Sequence, residues 1–95
     1  MKRYVSLIRF TPQGAKALKQ SPARAAAFRK TAAKAGVKIE AQLWTNGAYD
    51  GVVILAASDE RKALGVIARL VALGYVQTET MQAFDAGEFA ALVRG

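Results

Sequence analysis

Three features of this 95-residue sequence predict an α+β domain, a βαββαβ plait built on a four-stranded antiparallel sheet. Runs rich in β-branched and aromatic residues alternate with two helical stripes, each closed by a glycine, Gly36 and Gly74. The turn chemistry of Thr45-Asn46-Gly47 joins the two middle runs as a hairpin. The 53% apolar content is ample for one hydrophobic core at this length, so a single domain over residues 1–95 is expected.

Tyr4 to Phe10 reads as the first strand, closed by Thr11-Pro12. Pro12 fits the first position of a helix, and Gly14 to Lys19 can form a short helical turn. Ser21-Pro22 repeats the cap-and-proline signal to open a second helix. In that helix Ala25, Phe28, Ala32 and Ala35 recur at three- and four-residue steps, with Phe28 as the core anchor. Val37, Ile39, Ala41 and Leu43 then alternate with Lys38, Glu40, Gln42 and Trp44, the period-two pattern of a half-buried strand. Tyr49 to Ala56 is apolar on both parities and is expected to run centrally. Ser58 or Asp59 caps a helix whose Ala63, Val66, Ile67, Leu70 and Val71 share one face. Tyr75 to Phe84 alternates again, with Thr78 and Thr80 opposite Gln77 and Glu79, and Asp85 opens a short tail helix.

In a split plait the first and third strands lie centrally and the second and fourth form the edges. Two helices cover only one face of such a sheet, yet both parities of Val52 to Leu55 and of Val5 to Ile8 are largely apolar. A contiguous apolar face calls for a cover. A twin subunit supplies one; the tail helix at Phe89 and Leu92 is the rival. The chain is therefore expected to be its own partner, as a homodimer or higher homo-oligomer.

Composition closes many chemistries. With no cysteine and no histidine there are no disulfides, thiolate zinc sites, His bases or His-ligated haem. No apolar run approaches the about 20 residues of a membrane span, and no secretory leader is read at Met1-Lys2-Arg3, so the expected address is the cytoplasm. The net charge of +7 is bipolar: ten of the 14 basic residues precede the first acid, Glu40. That asymmetry attracts anions. A nucleic-acid partner is not expected, because Gly51 to Leu55 lacks the aromatic alternation with which such sheets stack bases. Phosphate-cradling glycine loops are absent as well, Gly47, Gly51 and Gly74 standing singly.

Trp44-Thr45-Asn46-Gly47-Ala48-Tyr49-Asp50 resembles the GYD-domain family, named for a Gly-x-Tyr-Asp type signature, here Gly47 to Asp50. Tyr4 to Phe10, Ser21-Pro22 with Arg24, Phe28-Arg29-Lys30, Ala35-Gly36 and Thr78-Glu79-Thr80 with Ala83-Phe84 fit the same pattern, so the resemblance covers almost the whole chain. It implies a ferredoxin-like subunit related to the dimeric α/β barrels and bacterial in distribution. The wider superfamily includes cofactor-free oxygenases, haem-binding oxidases and small-acid isomerases, and fold alone does not select among them.

The candidate ligand-binding residues are Arg9, Trp44, Tyr49 and Asp50, an aromatic pair with a guanidinium and a carboxylate that can orient a small acidic or aromatic metabolite. The competing structural reading has Asp50 capping the turn or pairing with Arg9, and the rings packing at an interface. Glu79 with Thr78 and Thr80 is a second candidate, although threonines on an edge strand also serve β-propensity. No cofactor, metal or catalytic residue is assigned. The function expected is a homo-oligomeric small-molecule-binding module. The alternative is a cofactor-independent oxygenase or isomerase in which Arg9, Trp44, Asn46 and Tyr49 bind and polarise the substrate.

Overall fold

In the computed structural model, which describes residues 1–95, β1 (Lys2–Phe10) runs through the middle of the sheet and hands over to α1 (Pro12–Lys16) at Thr11. The Thr11 hydroxyl accepts from the Gly14 N–H and donates to the Gly74 carbonyl, tying this corner to the turn before the last strand. A single 3-10 turn at Leu18–Gln20 leads into α2 (Ser21–Lys34). Then follow β2 (Lys38–Trp44), β3 (Gly51–Ala57), α3 (Glu60–Ala72), β4 (Val76–Ala83) and α4 (Ala86–Val93). The sheet is antiparallel in the order β2-β3-β1-β4, with β1 and β3 central as the plait requires.

α2 and α3 cover one face. Tyr4, Ile8, Val53 and Leu55 of the sheet meet Phe28 and Ala32 of α2 and Ala63, Val66 and Ile67 of α3. Complete burial of a side chain such as Leu55 or Val66 contributes roughly 1.5–3 kcal/mol each. Gly36 and Gly74 stop the two helices at φ of 80° and 87°, the left-handed conformation that favours glycine. Asp59 caps α3 by accepting from the Lys62 N–H, and Asp85 and Glu88 form a reciprocal capping box on α4.

Several local expectations are corrected. Strict alternation along β2 fails at Glu40: Ile39 pairs with Leu55 but Ala41 with Ile54, so Glu40 is the extra residue of a β-bulge. Beyond the bulge the faces exchange. Val37 and Ile39 point to the helices, but so do Gln42 and Trp44, while Ala41 and Leu43 turn to the other face. Arg29 steadies the irregularity by donating to the Ile39 carbonyl and to Gln42 Oε1. Ser21 makes no cap hydrogen bond; its hydroxyl is buried and accepts from Trp44 Nε1. Val71 is exposed rather than part of the core stripe. Tyr49 and Asp50 precede β3 instead of lying in it.

The second face of the sheet is uncovered. Val5 and Leu7 of β1 stand there beside Val52 and Ile54 of β3, flanked by the more exposed Leu43 and Met81. The tail helix leaves this face open: every residue from Phe84 to Gly95 is exposed. No helix is long and apolar enough to cross a membrane.

Candidate functional site

The Asn46–Asp50 stretch holds the signature residues, and each has a structural cause. Gly47 adopts φ 156°, which side-chain-bearing residues rarely take. Asp50 is a clamp. Its N–H donates to the Ile8 carbonyl, its carbonyl accepts from the Thr45 N–H, and its Oδ2 accepts from the Phe10 N–H at 2.8 Å. The loop is thereby fixed to β1 through backbone groups, independently of Arg9.

Tyr49, one residue earlier, turns to the open face. Its hydroxyl donates to Glu79 Oε2 at 2.9 Å, and the Arg9 guanidinium lies 4.6 Å from its ring centroid while Nε donates to the Ala48 carbonyl. The Glu79 carboxylate, by holding the phenol's proton, raises the Tyr49 pKa above the usual tyrosine range; partial desolvation adds to this and nearby Arg9 opposes it. Glu79 thus joins the first candidate group. Thr78 and Thr80 do not, for they point to the helix side, where the Thr80 hydroxyl shares a 2.8 Å hydrogen bond with the buried Ser6.

Trp44 and Asp50 border a different place. Between the sheet and α2 lies an inner cavity of about 80 Å³ whose wall is mostly apolar, with Phe10, Phe28, Val53 and Leu70 among its lining. Outside it, a groove of about 590 Å³ runs past Leu18, Pro22 and Thr45. Both compartments share Phe10, Ser21, Trp44 and Asp50, so they adjoin as the two parts of a cleft. The four predicted site residues are therefore divided: Arg9 and Tyr49 on the open face, Trp44 and Asp50 in the cleft. Of the residues expected to polarise a substrate, only Trp44 lines the cleft.

Sequence reasoning missed Arg24 as a site residue. It stands in the first turn of α2 and lines the inner cavity. Nη1 donates to the Ala17 carbonyl at 2.9 Å, and the guanidinium plane lies 4.2 Å from the Tyr75 ring centroid. Nη2 is buried without any hydrogen-bond partner in the chain. The signal was present: Arg24 lies four residues before Phe28, on the stripe that faces the core, where a charge is out of place. No three His, Cys, Asp or Glu side chains gather as a metal would need.

The family model of the GYD domain matches residues 4–93. The chain belongs to the GYD domain family. No curated protein and no solved structure matches it significantly. In this GYD domain Gly47 shapes the hairpin, Tyr49 reaches across the open face to Glu79, and Asp50 fastens the loop to β1.

Proposed function

We propose that this GYD domain is a small-molecule-binding module that works as a homodimer. The observation that carries the binding reading is the cleft of two adjoining pockets between α2 and the sheet, apolar within and edged by Ser21, Trp44 and Asp50. Its two compartments together fall in the size range of ligand sites, and few convergent polar groups in an apolar wall are what such sites have in common. The dimer reading rests on area. The chain exposes 6188 Å², where a monomer of 10.1 kDa exposes about 5,300 Å². The excess, about 900 Å², is close to the ~800 Å² that each partner contributes to a standard interface. Val5, Leu7, Val52 and Ile54 supply the apolar centre of that interface.

The chain has one tryptophan, and it stands at the cleft, so its fluorescence is a direct reporter. A thermal-shift screen of small metabolites is expected to give ligands that also change Trp44 emission. Tyr49→Phe leaves their affinity unchanged, because Tyr49 faces the other side of the sheet. Absence of any ligand across a broad library sinks the binding reading. Sedimentation at micromolar concentration is expected to give twice the chain mass; a strictly monomeric mass overturns the dimer.

A further inference from the structure

Arg24 gives the cleft a chemical preference. Its Nη2 is buried, carries two N–H donors and has no acceptor in the chain, while the remainder of the guanidinium is held in place by the Ala17 carbonyl and the Tyr75 ring. A cation in an apolar wall with a free donor costs free energy until an acceptor arrives, and a charged acceptor offsets most. No carboxylate of the chain does so: the single ion pair in the molecule joins Arg3 to Glu40. Asp50, the only acid lining the cleft, lies in the sheet wall and has one oxygen committed to the Phe10 N–H.

We propose that the inner cavity takes the carboxylate of a small apolar or aromatic acid, with the Arg24 guanidinium as its anchor. This rests on the binding-module reading and deepens it. The inner volume of about 80 Å³ admits a carboxylate with a few attached carbons. Its apolar body extends into the outer groove against Trp44, Leu18 and Phe10. The indole is fixed for that contact by its hydrogen bond to Ser21. The rigid stacking on Tyr75 fixes the guanidinium in advance, which limits the entropy lost on binding.

The test compares phenylacetate with its neutral isostere phenylacetamide, at constant ionic strength, following Trp44 fluorescence. The acid is expected to bind about tenfold or more tightly than the amide, the scale of one charge-assisted hydrogen bond. Arg24→Met removes most of that difference, and a melting temperature and ligand-free Trp44 emission close to those of the original protein show that the variant is folded. Arg24→Lys keeps a reduced preference, since an ammonium is a point charge without the planar fork. Equal affinity for acid and amide, or a preference that survives Arg24→Met, overturns the assignment of Arg24 and leaves the module reading standing. If neither compound changes Trp44 emission or the melting temperature, and no other acid or amide of similar size does, both readings fall together.

Discussion

At the scale of single residues, two buried or half-buried hydroxyls behave in opposite ways. Tyr4 is packed in the core with its hydroxyl unpartnered, so the oxygen has lost water and gained nothing. Tyr4→Phe is therefore expected to be neutral or stabilising by up to about 1 kcal/mol in chemical denaturation. A loss larger than that reveals an acceptor for the hydroxyl. Tyr49 is the contrary case, its hydroxyl satisfied by Glu79. A tyrosine whose folded pKa is raised contributes stability below its ordinary pKa and loses it as the pH climbs through the raised value. Alkaline titration followed by phenolate absorbance should show one late-titrating tyrosine, and Glu79→Gln should bring it down toward the usual range. An unchanged titration curve in that variant removes Glu79 as the cause. None of this pairing was readable from spacing, since Tyr49 and Glu79 are 30 residues apart; Arg24 was readable, as a charge on the Phe28 stripe.

Among the elements, the strands and helices were legible because each repeats one period over many residues: Ala25 to Ala35 in α2, Ala63 to Ile67 in α3, and both parities of β3. β2 was misread past its middle. Period two says nothing of a bulge, and Val37, Ile39, Ala41 and Leu43 form a perfect alternation that the sheet breaks at Glu40. Two polar contacts favour the break: Trp44 Nε1 finds Ser21 and Gln42 Nε2 finds the Ala25 carbonyl, neither of which is possible if the full-length strand alternates without interruption from Ile39. Glu40 itself swings to Arg3 at 2.7 Å, and its pKa falls below the ordinary carboxylate range chiefly through that hydrogen bond. That contribution is present above the ordinary carboxylate pKa and fades as the pH falls through the lowered one. Deleting Glu40 removes the extra residue and leaves Ala41 outward and Trp44 inward, as now. The deletion variant is expected to fold with native Trp44 emission. Emission shifted to that of a fully solvated indole would mean that the bulge holds the register of the whole edge.

For the molecule as a whole, the face count in the sequence anticipated an uncovered sheet, and the structure has one, with α4 standing apart from it. What no count of faces could reveal was the cleft on the covered side, because it depends on Trp44 being turned inward by a single-residue irregularity. The charge asymmetry is also placed on structure: Lys16, Lys19, Arg29, Lys30 and Lys34 are exposed along α1, the 3-10 turn and α2, on the side away from the proposed twin. Ile54→Lys sets a charge in the middle of the open apolar face and is expected to yield monomers by sedimentation without altering phenylacetate binding. Dimers that persist in this variant would place the contact elsewhere.

The molecule is only 17 Å through its thinnest axis, and 17 of its 95 residues are buried. So small an interior leaves little margin over the chain entropy lost on folding. In the proposed dimer association is part of folding itself, and mass action links the two. The melting temperature of this GYD domain is accordingly expected to be a property of the solution as much as of the sequence, rising with protein concentration. A midpoint that stays constant through a hundredfold dilution, about two decades of mass action, would show that one slab is sufficient alone.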